Sequence, residues 1–170
     1  MLEEKVVAKL KELNLKITTA ESCTGGLIAA TLVNVAGASY VLEEGYITYS
    51  NEAKVKLLGV EKEALKQYGA VSRQVAEQMA EGAAKAAGAY AALAATGIAG
   101  PDGGTPEKPV GLVYIGCYLK GRTIVTENHF KGSRAEVRRQ TVEAALKLLL
   151  SCMDEAFGAE DGAEKGKYEQ

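Results

Sequence analysis

One histidine, His129, is all that this sequence offers to chemistry that depends on imidazole. A Ser-His-Asp triad or a histidine-based metal site would rest on that single residue. It stands in the strand-like run TENHF, where a structural or surface role suits it better. The acidic residues form no HExxH or DxD array, so no metal ion is expected. Cysteines are also scarce: Cys23, Cys117 and Cys152 show no CxxC spacing and leave one unpaired in any disulfide scheme. Reduced thiols in a cytoplasmic protein are the simplest account. Long apolar runs are missing, and the closest approach, Ala83 to Ala95, is interrupted by Lys85 and Gly88. It falls short of the roughly 18–20 residues that a membrane helix needs, so no membrane partner is expected. Neither sign of charge dominates, with 20 Lys and Arg against 22 Asp and Glu and a net charge of -2. That balance argues against nucleic acid as a partner, while leaving room for a local basic pocket.

What is present is the composition of an ordinary globular domain, 47% hydrophobic and 25% charged over 170 residues. That length suits one domain with a single core. The N-terminal stretch MLEEKVVAKLKELNLK places Leu2, Val6, Val7, Leu10 and Leu13 at helical spacing, a charged amphipathic helix rather than a signal peptide. KITTA (16–20) is β-branched and predicts a buried strand; LIAATLVNV returns to helical periodicity and stops near Gly37. EEGYITYS predicts a strand ending at Ser50, with Asn51 as N-cap of a short helix closed by Gly59. A short helix over 61–68 and a longer one from Ser72 to Ala87 follow, then a buried strand over Tyr90–Thr96. Val110–Leu119 and Thr123–Phe130 predict a hairpin turning at Lys120-Gly121, and Ser133 caps a final helix. Helices alternating with strands, then a hairpin and a helix, predict a single-domain α/β fold with a mixed sheet between helices. Residues 1–157 would form the domain and 158–170, almost free of apolar side chains, a disordered tail.

Four segments carry chemistry. TAESCTGG (19–26) lies between a predicted strand and a predicted helix, where free N–H groups and the helix dipole favour anions. Ser22 there can sit beside oxyanion donors, while Gly25 and Gly26 keep side chains off the backbone. Equally, Ser22 or Thr24 can simply cap the helix. In GYITYSNEAK (45–54), Lys54 falls about one turn into its helix. A serine is a weak nucleophile until a base takes its proton. With imidazole so scarce, a lysine can serve if burial among Tyr46, Tyr49 and apolar neighbours lowers its pKa. A solvated surface lysine is the plainer alternative. ATGIAGPDGGTP (95–106) belongs to a glycine-rich loop, 97–109, that holds all three prolines. It is neither a P-loop nor GxGxxG, yet it is longer than a simple connection requires. In KGSRAEVRR (131–139), Arg134 and Arg138 share a helix face and can reach a phosphate, or stand as exposed charges. Cys23 lacks any neighbour that would make a thiolate and is read as a small buried side chain.

TAESCTGGLIAATL, EGYITYSNEAKVKLLGV and ATGIAGPDGGTPEKPVGLVYIG, in this order, resemble the CinA C-terminal domain family, which includes nicotinamide mononucleotide deamidases. The likeness runs from about Leu2 to Met153. It implies a three-layer α/β/α sandwich and hydrolysis of nicotinamide mononucleotide to nicotinic acid mononucleotide and ammonia, in pyridine nucleotide salvage, without metal or cofactor. The family's catalytic serine falls on Ser22, its lysine on Lys54, and Thr96 matches a position assisting at the reacting group. Thr24, Gly25, Gly26, Tyr49, Asn51, Gly97, Gly100, Thr105, Arg134 and Arg138 are then expected to hold the nucleotide. Longer members carry a further N-terminal domain resembling molybdopterin-binding proteins, so this chain would be the amidase-like domain standing alone. A non-catalytic nucleotide-binding or regulatory module remains the alternative. A homo-oligomer is expected from the apolar helix surface of so short a chain.

Overall fold

The structure, a computed structural model, describes the backbone of residues 1–165 and the side chains of residues 1–158. The chain runs α1 (Leu2–Glu12), β1 (Ile17–Glu21), α2 (Leu27–Val33), a 3-10 turn (Ala38–Tyr40), β2 (Tyr46–Ile47), α3 (Asn51–Leu58), α4 (Lys62–Tyr68), α5 (Arg73–Ala87), β3 (Ala91–Gly97), β4 (Leu112–Leu119), β5 (Arg122–His129) and α6 (Arg134–Lys165). The strands form one sheet in the order β2-β1-β3-β4-β5. β2, β1 and β3 are parallel, and β4 and β5 are antiparallel additions. The expected mixed sheet is therefore present, in a single α/β domain. None of the described helices is long and apolar enough to cross a membrane.

Two apolar cores cover the two faces of the sheet. On one, Ile17, Leu93, Val113 and Ile115 pack with Val6 and Leu10 of α1, Ile28 and Leu32 of α2, and Leu146 and Leu149 of α6. On the other, Ala20, Ala92 and Ala94 meet Val75, Met79, Ala80 and Ala83 of α5, with Leu58 and Ala64 from α3 and α4 outside them. β3 thus alternates its side chains between two helix layers, as a pleated strand must. Its alanines, poor strand formers by themselves, fit because α5 lies so near. Gly116 pairs with Ala94 across the ladder, and a β-carbon at Gly116 would stand 2.8 Å from the Ala76 carbonyl oxygen.

Local signals account for most element ends. Lys120 and Gly121 both have positive φ and turn the β4–β5 hairpin where expected. Gly59 and Gly88 close α3 and α5 in the left-handed conformation. Ser133 and Glu136 form a reciprocal capping box at the start of α6: the Ser133 N–H donates to Glu136 Oε2 and the Glu136 N–H to Ser133 Oγ. Two expectations are corrected. The strand expected to reach Ser50 is only Tyr46–Ile47, extended by one rung in which the Thr48 N–H donates to the Glu21 carbonyl at 2.9 Å. The cap of α3 is Ser50, not Asn51, because it is the Ser50 hydroxyl that accepts from the Ala53 N–H. α6 is helix to Lys165 and so enters the segment 158–170 expected as a disordered tail, of which residues 166–170 lie outside those described.

α5 also approaches α3 closely, and Gly82 makes that possible. A β-carbon there would stand far inside the van der Waals contact distance of the Leu58 carbonyl oxygen. Gly82→Ala gains about 1 kcal/mol in helix propensity, but overpacking against a backbone atom costs about 1–3 kcal/mol. The variant should therefore be less stable than the parent, read as a lower midpoint in urea unfolding. A higher midpoint would show that α3 and α5 can separate freely.

Candidate active site

The parallel strands β2, β1 and β3 all end on the same edge of the sheet, and the loops that leave them build a crevice there. Ser22 follows the last residue of β1, Thr48 follows β2, and Thr96 and Gly97 end β3. Lys54, on the first turn of α3, reaches back beneath β2. Its side chain is 1% exposed, and none of the ion pairs among the described residues includes it. Nζ lies 2.9 Å from Ser22 Oγ, 2.8 Å from the Thr48 carbonyl oxygen and 3.5 Å from that of Tyr49.

Burial without a carboxylate disfavours the ammonium and pushes the Lys54 pKa down to about 8, with the Cys23 thiol a smaller opposing influence. The three contacts suit both protonation states. An ammonium donates to all three oxygens. A neutral amine keeps two N–H bonds for the carbonyls and turns its lone pair on the Ser22 hydroxyl. Desolvation was expected to involve the ring of Tyr49, yet that residue is 61% exposed. It contributes its carbonyl instead.

Ser22 is held by neighbours that the sequence did not single out. Its N–H donates to the Ala95 carbonyl at 3.0 Å, tying it to β3. Glu21, also buried, turns its carboxylate on the start of α2: Oε1 accepts from the Ile28 N–H at 2.7 Å and Oε2 from the Ala29 N–H at 3.1 Å. That occupies donors of the helix mouth expected to be free for a ligand. A glutamate closing an otherwise uncharged strand, before a helix without a Ser, Thr, Asp or Asn cap, was the signal available. The free donors lie one step earlier. The N–H groups of Cys23 and Thr24 make no backbone hydrogen bond among the described residues, whereas that of Gly25 donates to the Ser22 carbonyl. Arg138 clamps the same loop from α6, donating through Nε to the Cys23 carbonyl at 3.1 Å and through Nη2 to that of Thr24 at 2.8 Å.

The crevice encloses about 290 Å³, near the lower end of small-molecule pockets. Of the residues expected to act, Ser22, Lys54, Thr96, Tyr49, Asn51, Gly97, Gly100 and Arg134 line it. Thr24, Gly25, Gly26, Thr105 and Arg138 do not. Thr24 is fully buried and its hydroxyl finds no partner. Gly25 faces Arg138 and Gly26 faces Ile47. Thr105 stitches the glycine-rich loop to Lys108, exchanging a backbone and a side-chain hydrogen bond. Arg134 joins three segments at the rim: Nη1 donates to the Gly100 carbonyl and Nη2 to the Tyr49 hydroxyl, both at 2.9 Å. Thr96 donates its hydroxyl proton to the Ala70 carbonyl at 2.8 Å, so towards the crevice it can only accept. Asp102, which the sequence reading passed over, also lines the crevice. Cys23 lines it too, its thiol pushed up to about 11 by burial, a poor nucleophile. His129 stands apart on β5, paired with Glu127.

Comparison with known proteins matches this geometry to a described family. The family model "CinA C-terminal domain" covers residues 1–153. A CinA-like protein of Kosmotoga olearia is 57% identical over 145 residues, 85% of this chain. A putative competence-damage inducible protein of Clostridium novyi is 55% identical over 148 residues, 87% of this chain. The chain spans only 35% and 36% of the length of these two relatives. Among solved structures, the competence/damage inducible protein CihA of Agrobacterium tumefaciens superposes with a TM-score of 0.86 at 46% identity, over 88% of this chain and 92% of its own. A CinA superfamily protein of Klebsiella pneumoniae does so with a TM-score of 0.88 at 34% identity, over 91% and 96%. Sequence and backbone agree over the region that builds the crevice, and this chain belongs to the CinA C-terminal domain family.

Proposed function

We propose that the protein is an amidohydrolase that converts nicotinamide mononucleotide to nicotinic acid mononucleotide and ammonia through an acyl-enzyme on Ser22. The observation that carries this reading is the 2.9 Å contact between Ser22 Oγ and a buried Lys54 that no carboxylate neutralises. Neutral Lys54 takes the hydroxyl proton as Ser22 Oγ attacks the carboxamide carbon. The oxyanion forms beside the N–H groups of Cys23 and Thr24, which no backbone carbonyl among the described residues holds. Lys54, now an ammonium, returns the proton to the departing nitrogen, and ammonia leaves. Water attacks the ester by the same route: Lys54 takes its proton, the carboxylate leaves, and Ser22 recovers its hydrogen. Thr96, able only to accept, suits the N–H bonds of a carboxamide and has nothing to offer a carboxylate product. Arg134 at the rim is the cation placed to meet the phosphate once it exchanges its contacts with Tyr49 and Gly100.

Ser22→Ala, Lys54→Ala and Lys54→Arg should each lower turnover by about 10³-fold or more, the arginine because a guanidinium cannot act as base at working pH. Ammonia release from nicotinamide mononucleotide is the measurement. Turnover above about a tenth of the parent in any of the three contradicts the assigned roles. Nucleotide binding without ammonia release by the parent would favour a regulatory binding module. Because the base must be neutral, kcat/KM should rise with pH up to about 8 and flatten above it. A flat profile from about pH 6 to 9 removes Lys54 as the base.

The same pKa carries a stability prediction. Between about 8 and the ordinary 10.5 the unfolded chain holds the Lys54 proton and the folded chain does not, so stability should rise with pH across that window. The gap corresponds to about 3 kcal/mol. Lys54→Met should therefore be inactive but more stable than the parent at pH 7, with an advantage that narrows between pH 8 and 10. Thermal unfolding of the two proteins across that range tests it; a constant difference shows that the amine is not desolvated.

A further inference from the structure

The three cysteines, unremarkable in sequence, divide unevenly in the fold. Cys23 lines the crevice, while Cys117 on β4 and Cys152 on α6 are buried in the same core. Both line one cavity of about 150 Å³, together with Leu119, Arg122, Ile124 and Glu155. Lining the same cavity, the two thiols are near enough for each to perturb the other's ionisation. The Cys117 thiol lowers Cys152 and the Arg122 guanidinium adds to this, against burial and the Glu155 carboxylate; Cys117 is correspondingly raised. Arg122 is itself held by Glu155 at 3.3 Å. The cavity exceeds several times the roughly 30 Å³ that a water occupies, which leaves room for a small oxidant.

We propose that Cys117 and Cys152 are an oxidisable dithiol, a site at which hydrogen peroxide drives formation of an intramolecular disulfide tying β4 to α6. The Cys152 thiolate attacks one peroxide oxygen, breaking the O–O bond, so that Cys152 becomes a sulfenic acid and the other oxygen leaves as water after protonation. The Cys117 sulfur then displaces the sulfenic oxygen as a second water, and the S–S bond forms. The two thiols lose two electrons and two protons, and the peroxide gains them. Cys23 stays out of this step because burial keeps it a thiol and the other two cysteines lie in a different cavity. The consequence is mechanical. α6 carries Arg134 and Arg138, which hold the loops around Ser22 and Gly100, and the disulfide fastens that helix covalently to the sheet. The inference does not depend on the amidase reading.

Treatment of the native, reduced protein with hydrogen peroxide, followed by quenching and denaturation, tests it. Free thiols should fall from three to one and the intact mass by two hydrogens. Peptide mapping should return a Cys117–Cys152 link that a dithiol reductant removes, and thermal unfolding of the oxidised protein should shift upward by several degrees. Cys117→Ser and Cys152→Ser should each abolish the link, and Cys23→Ser should leave it intact; if a variant fails to fold, the parent's map alone decides. Three surviving thiols, a link through Cys23, or Cys152 driven to sulfinic acid with Cys117 still free would each overturn the proposal.

Discussion

An amine buried to 1% exposure with no carboxylate beside it is among the costliest groups a domain of this size can hold, and much of the architecture around the crevice exists to contain it. Lys54 stands on α3, whose cap is Ser50 and whose carboxyl end is pressed by α5 at Gly82. Its amine meets a carbonyl just past β2 and a hydroxyl just past β1. β1 and β2 are in turn joined by the Thr48 N–H to Glu21 carbonyl bond. Moving any of these elements by one residue would leave either a buried cation without acceptors or a serine without its amine partner. The short strand β2, only Tyr46–Ile47, is enough because its task is placement rather than sheet area.

Glu21 and Arg138 form a second, complementary arrangement. The carboxylate closes the amino end of α2 from beneath, and the guanidinium grips two carbonyls of the loop between β1 and α2 from above. Between them the backbone around Ser22 has few ways to relax, which is the preorganisation that the proposed nucleophile and oxyanion donors require. The dipole of α2 is compensated by the protein's own carboxylate. The cation that lines the crevice is Arg134 at its rim, so positive charge is offered there rather than at the helix mouth.

The small residues of β3 and β4 serve the same end by a different route. Ala92, Ala94 and Gly116 let α5 lie close to the sheet. The loop before α5 then brings the Ala70 carbonyl against the Thr96 hydroxyl at the end of β3. Packing density on one face of the sheet thus orients a polar group at its edge.

Several features were legible from local sequence because they are local physics. Examples are the amphipathic helices, the buried strands, the hairpin at Lys120-Gly121 and the glycine that ends α3. The three motifs and the residues Ser22, Lys54 and Thr96 could be named through family resemblance. Spacing alone could not separate Lys54 from the surface lysine Lys56. What the chain order could not contain was any relation between residues far apart. Ser22 and Lys54 are 32 positions apart, Arg138 reaches the loop 115 positions before it, and Cys117 and Cys152 share a cavity that no Cys spacing announces. Periodicity, capping and turn chemistry act over a few residues and are written in the sequence itself. Desolvation, the partner of each buried polar group and the distance between two reactive atoms depend on how the sheet is ordered and how closely helices settle on it, and only the tertiary structure decides them.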